Sequence, residues 1–558
     1  MPSNKNYNPL EPDEIFMDST NLPSFEVERF EGRIEHALSK RSLLLLGVIF
    51  ILVGISFLSR VAFLQVAKGE EYGERSDSNH LREINIYADR GLIYDRNGEL
   101  LAWNDPGGIR KYVDEPGVAH VLGYLGLPTA EDATFNPEEK IGKDGVEEAY
   151  NRILRGEPGL KIEEVNVRGE ITSESIQRPP APGRSLTLSI DQRLQSRLNK
   201  QIKAIAEERG FRGGSGVLID IDTGEILVLT SYPEYDSEVL SLGSDREAIT
   251  KLLEDKGTPF LNRATEGLYT PGSIIKPYIA LAALQEKVIT PEKQIESTGS
   301  ISIPNPYVSG AYSVFNDNKA HGFVDMRDAL SVSSNVYFYE IGGGYKSQKG
   351  LGIARINDYV SKFGFGTTTS LFSDNEPAGT IPSPEWKAKV FEGEPWRVGD
   401  TYHTSIGQYG FQVTPLQMAR AVSVVATSGV LRGVTIFAKD SENYRGTTHN
   451  SLPIDEEHFK VVKEGMRQGV TSPKGTAQTV NIPGLSIAAK TGTAELDAAK
   501  LYVNSWVTGF FPYDNPRVAF AVIMERGPSS NRVGASVVTR GLLEWMQIYT
   551  PEYLTSNP

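Results

Sequence analysis

The sequence predicts an α/β protein tied to a membrane by one helix. Three observations predict it. Residues 42–58, SLLLLGVIFILVGISFL, carry no charge. After about residue 186, strand-like runs stand near both ends of the remaining chain with amphipathic helical runs between them. And 558 residues exceed one compact core, so about two to four domains are expected.

The first 24 residues are polar, acidic and turn-rich, the composition of a disordered tail. From Phe25 to Arg41 a helix is expected, because Phe30, Ile34 and Leu38 recur every four residues. It reads equally as a membrane-surface helix and as a simple lead-in. The uncharged run, extended by VAFLQV after Arg60, is long enough to span a bilayer with Arg60 snorkelling. A core helix rarely lacks polar residues for so long, and a signal peptide would not usually follow 41 residues. Charge does not orient the span: Arg29, Arg33, Lys40 and Arg41 precede it, and Arg60, Lys68 and Arg75 follow.

Residues 63–188 read as a mixed segment. Within it, Asp95-Arg96-Asn97-Gly98 between apolar runs predicts a hairpin, with Asn-Gly supplying positive φ angles. RPPAPGR at 178–184 marks a linker or domain edge. SLTLSI then reads as a strand, and DQRLQSRLNKQIKAIAEERG as an amphipathic helix. SGVLIDIDTGEILVLTSY reads as two strands around Asp-Thr-Gly. WVTGFFPY and RVAFAVIMERG are two further strands, followed by a helix around GLLEWMQIY. These distant strands predict one shared sheet.

Composition removes several functions. Net charge is −14 with no basic block, which leaves no footing for nucleic acid. There is no cysteine, which excludes a thiol nucleophile, disulfides and Cys-ligated zinc. The seven histidines are scattered without His-Glu-x-x-His, so no metal site and no cofactor is expected. The glycines at 342–344 are not followed by Gly-Lys-Ser/Thr; they predict a turn or helix end rather than a phosphate cradle.

Three short motifs carry chemistry. Ser273 and Lys276, in TPGSIIKP, precede an apolar helical run, so both sit near a helix N-terminus on one face. Free N–H groups there favour developing negative charge. A lysine whose pKa is lowered by desolvation or by neighbouring cations can take the serine proton. Alone, the pair reads as a helix cap and a solvated lysine. Lys490-Thr491-Gly492-Thr493 follows a predicted edge strand; its lysine and hydroxyls suit a carboxylate, and its glycine would let a substrate backbone approach. Ser333-Ser334-Asn335 lies between DALSV and VYFYEIG, at the edge of helical runs that could hold it rigidly. Ser19–Asn21, Ser441–Asn443 and Ser529–Asn531 share its Ser-x-Asn spelling but lie before the span, in a polar loop-like run, or after Lys-Thr-Gly.

The order Ser-x-x-Lys, Ser-x-Asn, Lys-Thr-Gly, with 57 positions from Lys276 to Ser333 and 155 from Asn335 to Lys490, resembles that of penicillin-binding proteins and serine β-lactamases. PFLNRATEGLYTPGSIIKP, SIGQYGFQVTPLQMARAVSVVA and NSWVTGFFP resemble the same family. RGLIYDRNGELLA resembles the N-terminal module of its class B members.

The resemblance implies a central antiparallel sheet flanked by helices. It implies a cytoplasmic tail (1–41), a transmembrane anchor (42–62), a non-catalytic pedestal of dimerisation type (63–188) and a transpeptidase domain (189–550) outside the cytoplasmic membrane. The roughly 130 residues between span and catalytic domain leave no room for a glycosyltransferase. It also implies a D,D-transpeptidase that cross-links peptidoglycan stem peptides at D-Ala-D-Ala, is trapped by β-lactams, and works beside a multi-pass glycosyltransferase of the shape, elongation, division and sporulation family. Ser273 would be the nucleophile and Lys276 its base. Ser333 would pass the proton to the leaving amine, and Asn335 would hold the substrate amide. Lys490, Thr491 and Thr493 would bind the terminal carboxylate, beside Gly492, and the field of Lys490 would help lower the pKa of Lys276. The N–H groups of Ser273 and Thr493 would form the oxyanion hole. The competing expectations are a D,D-carboxypeptidase or β-lactam hydrolase, and a non-catalytic scaffold.

Overall fold

A computed structural model describes residues 39–73, 81–132, 135–165, 170–305, 307–373, 376–497 and 499–554. The expected tail and the expected helix from Phe25 lie almost wholly outside the described residues. The chain divides into two compact units. One holds the chain up to Ile84 with Lys161–Ser175, and the other holds Asn85–Leu160 with Ile176 onward.

In the first unit, helix Lys40–Ala62 continues as a π-helical turn over Phe63–Ala67. Ser39 caps it by accepting the Ser42 N–H. Its 28 residues rise about 42 Å, enough to cross the hydrocarbon core, and none of its apolar window is buried by protein. This unit also carries most of a three-stranded sheet ordered Leu81–Ile86, Gly159–Val165, Ile171–Arg178.

The second unit is built on the sheet predicted from distant segments, except that SLTLSI does not join it: Leu186–Thr187 pairs in parallel with Ile93–Tyr94 in a separate sheet. The strands of the shared sheet run Ile226–Tyr232, Gly213–Asp220, Val518–Pro528, Tyr502–Phe511 and Ala488–Glu495, every neighbouring pair antiparallel. Alternation sorts the side chains into two cores. Leu218, Val228, Phe520 and Val522 pack under the helices Gln192–Arg209 and Ala535–Tyr549. Val217, Ile219, Ala519 and Ala521 face the opposite core, which contains helix Lys276–Gln285. Gln192–Arg209 is helical because Leu194, Leu198, Ile202 and Ile205 form one buried stripe, capped by Asp191 and closed by left-handed Gly210. Lys276–Gln285 is apolar all round and buried almost throughout, so Lys276 is enclosed with it. The glycines at 342–344 end helix Asn335–Gly343.

The predicted hairpin at 95–98 forms between Ile93–Tyr94 and Leu100–Asn104, by a different device. Only Gly98 takes positive φ. The buried Asp95 carboxylate accepts the N–H groups of Asn97 and Glu99 and closes the turn in place of a second left-handed residue.

Candidate active site

The turn that carries Ser273 is built by three struts. Tyr269 exchanges two backbone hydrogen bonds with Val413, at 2.9 and 3.0 Å. The Gly272 N–H donates to the Gly407 carbonyl at 2.9 Å. Trp506, buried in the sheet, donates its indole N–H to the Thr270 carbonyl at 3.1 Å. Gly272–Ile275 then winds one 3-10 turn, and the α-helix begins at Lys276. Ser273 is therefore set one turn ahead of the α-helix, partly open to a cleft of about 1400 Å³.

Ser273, Ser333, Asn335, Thr491, Gly492 and Thr493 line that cleft together. Lys276 and Lys490 lie under its floor, 0% and 1% exposed. Ser333 joins helix Met326–Val332 to Asn335–Gly343 and sits in the left-handed region at φ 60°. A non-glycine residue there costs about 1 kcal/mol. The adjoining helices enforce the conformation, which aims the Ser333 hydroxyl between the two lysines. Lys276 Nζ donates to the Ser333 carbonyl at 2.7 Å, Asn335 Oδ1 at 2.7 Å and Ser333 Oγ at 3.3 Å. Lys490 Nζ donates to Ser333 Oγ at 2.7 Å and to the Thr491 carbonyl at 2.9 Å. The resting hydrogen bonds of Lys276 thus go to Ser333 and Asn335 rather than to Ser273.

Burial pushes the Lys276 ammonium down to about 7, while the charge of Asp317 pulls the other way. Burial also holds Lys490 well below the usual lysine range, and the charge of Lys276 adds to it. Of the two expected causes, enclosure is the larger for both lysines, and their ammonium groups, joined through Ser333, oppose one another's charge.

An edge strand forms here, but later in the chain than predicted: it is Ala488–Glu495, so Lys490-Thr491-Gly492-Thr493 lies within it rather than after it. Thr491 and Thr493 face the cleft, whereas Lys490 and Gly492 face inward. The structure gives the glycine a reason beside the expected one. A Cβ at Gly492 would lie 2.8 Å from the Pro271 carbonyl and 3.0 Å from Ile274 Cγ2. The space is taken by the turn that carries Ser273, so that turn itself requires a glycine here.

The rival Ser-x-Asn segments among the described residues take no part in the Lys276–Ser333–Lys490 contacts. Asn443 and Ser441 close a local turn. Ser529 and Asn531 reach the cleft rim, where the Asn531 amide is held by the Arg209 carbonyl. Ser19–Asn21 lies outside the described residues. Residues 373–375 also spell Ser-Asp-Asn, which the sequence reading passes over; Ser373 lines a separate cavity with Asp144 and Glu376. The sequence reading missed two supports. Ser334 caps helix Asn335–Gly343, a serine-before-apolar-run signal that was legible. Asp317 lies under the same turn and has no local sequence signature.

Residues 214–542 match the family model of the penicillin binding protein transpeptidase domain, and 105–188 match the penicillin-binding protein dimerisation domain. The chain belongs to the penicillin-binding protein transpeptidases. It is 27% identical to the peptidoglycan D,D-transpeptidase MrdA of Haemophilus influenzae, covering 92% of each chain. It is 28% identical to MrdA of Escherichia coli over 89% of this chain and 92% of that one. The crystal structure of Pseudomonas aeruginosa PBP2 in complex with WCK 5153 superposes with a TM-score of 0.69 at 30% identity, over 84% of this chain and 99% of that chain. PBP2 of Helicobacter pylori in its complex with MreC superposes with a TM-score of 0.68 at 25% identity, over 84% and 98%. The chain is thus a class B penicillin-binding protein of the PBP2 type, anchored by one apolar helix.

Proposed function

We propose that Ser273 is the acylated nucleophile of a peptidoglycan D,D-transpeptidase that β-lactams inhibit. The observation that carries this reading is the hydrogen-bonded chain Lys276–Ser333–Lys490 beneath Ser273 in an open cleft. The neutral Lys276 amine takes the Ser273 proton, and Oγ attacks the carbonyl between the two terminal D-alanines. The ammonium groups of Lys276 and Lys490 share Ser333 and repel, so protonating one opposes protonating the other. An incoming terminal carboxylate, bound by the Thr491 and Thr493 hydroxyls, favours the charge on Lys490 and leaves Lys276 free as base. The oxyanion is met by the N–H groups of Ser273 and Thr493. Ser333 hands a proton to the departing D-Ala amine, with the stem-peptide amide on Asn335. An acceptor amine then attacks the ester, forms the cross-link and returns the proton to Ser273.

The same reading sets the domains at 1–41, 42–62, 63–188 and 189–550, with the N-terminus inside and the cleft outside, because the polymer is outside. A multi-pass glycosyltransferase of the shape, elongation, division and sporulation family is the partner, met through the anchor and pedestal. Fluorescent penicillin labelling of wild type beside Ser273→Ala tests the core. A stable band lost in the variant is expected; a band that persists in Ser273→Ala sinks the assignment.

A further inference from the structure

Under the Ser333–Asn335 turn lies a carboxylate that the steps above do not use. The Asp317 side chain is wholly withdrawn from water. Its Oδ2 accepts the Ser334 hydroxyl at 2.8 Å, the Ser297 hydroxyl at 3.2 Å and the Val336 N–H at 3.0 Å. Val336 stands in the first turn of helix Asn335–Gly343, whose free N–H groups favour an anion. We infer that Asp317 is a positioning residue for acylation: it pins the turn that presents Ser333 and Asn335, and it supplies the buried negative charge that faces the Lys276 ammonium.

Every element packed around Asp317 contributes. Strand Ile295–Ser297 brings Ser297. The loop that carries Asp317, between strands Tyr312–Asn316 and Gly322–Val324, brings His321, whose Nε2 lies 3.8 Å from Oδ1, and Lys319 beside it. The helix start brings Ser334, Asn335 and Val336. The nucleophile helix brings Lys276, and Lys490 reaches Ser333 from the edge strand. Burial works against the Asp317 charge, but the N–H groups of Asn335 and Val336, and then Lys276, hold it below the ordinary carboxylate range. It therefore stays ionised at neutral pH. Burial pushes His321 down, so the imidazole is neutral there and leaves Asp317 to Lys276. A buried anion so placed partly offsets the burial of Lys276, so the amine can still take up a proton in the working pH range. It also ties that charge to the backbone of the turn on which Ser333 depends.

The inference rests on Lys276 acting as base, and the experiment separates the two. The rate of penicillin acylation is measured against pH for the full chain in detergent: wild type, Asp317→Asn and Ser334→Ala. In wild type the rate falls on the acid side as Lys276 becomes charged. Removing the Asp317 charge lowers the Lys276 pKa, so in Asp317→Asn the acid limb moves to lower pH by about one unit or more, the effect of losing one close opposite charge. Its plateau drops roughly tenfold as the turn loosens. Ser334→Ala keeps the charge and loses one anchor, so its plateau falls while its limb stays in place. A merely structural Asp317 would lower the plateau without moving the limb, and that result overturns the inference. If Asp317→Asn does not fold, Ser297→Ala combined with Ser334→Ala carries the test, since it strips two donors and keeps the carboxylate. A wild-type plateau there is equally fatal. Wild type that takes no label at any pH sinks the Ser273 reading itself; labelled wild type with an unmoved limb in Asp317→Asn sinks only the role of Asp317.

Discussion

Replacing Gly492 by alanine adds one methyl group and separates two explanations of the Lys-Thr-Gly motif. If the glycine serves substrate approach, Gly492→Ala should weaken substrate capture and leave the free protein intact. The structure argues otherwise. The new Cβ would stand 2.8 Å from the Pro271 carbonyl, 3.0 Å from Ile274 Cγ2 and 3.3 Å from Trp506 Cβ. Ordinary contact begins near 3.4 Å, so the turn must recede by about 0.6 Å (3.4 less 2.8). The carbonyl is backbone, two residues before Ser273, and it cannot rotate aside. The struts at Tyr269, Thr270 and Gly272 resist the shift. Overpacking of this kind costs about 1–3 kcal/mol, and a displacement of ~1 Å at a reacting group can cost about a hundredfold in rate. Roughly half that displacement gives an expected loss of about tenfold in acylation, with a melting temperature lowered by a few degrees. Stopped-flow acylation with a fluorescent penicillin and thermal melts of the unliganded protein measure both. A Gly492→Ala protein with wild-type melting and wild-type acylation would refute the packing argument. Loss of acylation without loss of stability would return the glycine to the substrate.

Two further outcomes follow from buried charges. Acylation of wild type should fall about tenfold per pH unit below about 7, because the ammonium form of Lys276 cannot accept the Ser273 proton; a flat rate between about pH 5 and 8 would remove Lys276 as base. Glu234 accepts the N–H groups of Gly117 and Ala119, and burial raises its pKa to about 7. A carboxyl raised on folding gives stability that is full below its unfolded pKa and is lost as pH rises through about 7. Glu234→Gln should therefore gain in melting temperature over wild type more at about pH 8 than at about pH 5, and an equal difference at both would contradict the assignment.

What the sequence disclosed depended on range. The anchor was legible because seventeen uncharged residues have few other uses. The central strands were legible as short, largely apolar runs bounded by turn residues, even though Gly213–Asp220 pairs with Val518–Pro528 across about 300 residues. The short pairings were not. Ile93–Tyr94 meets Leu186–Thr187 in two-residue strands, too brief for any period to register. The motif residues could be read from spelling and spacing, but not the conformations that make them work. Nothing in Ser333-Ser334-Asn335 announces that Ser333 turns left-handed, or that an aspartate sixteen positions before it closes underneath.

The weight of each cause turns on which way a side chain faces. Sequence reasoning assigned Gly492 to the substrate, and for Lys276 it set the field of Lys490 beside desolvation without ranking them. In the structure Gly492 and both lysines face inward. An inward lysine is governed first by the loss of water, which favours its neutral form without help from a second cation. A second buried ammonium would then be prohibitive unless something offsets it, and Asp317 is the carboxylate that acts on Lys276. One negative charge against two mutually repelling amines opposes protonating both. The proposed acyl transfer passes a single proton along this pair. That proton must be absent from Lys276 when Ser273 attacks, and near Ser333 when the amine departs. Ser333 touches both lysines, so the proton has a path that never leaves the floor of the cleft.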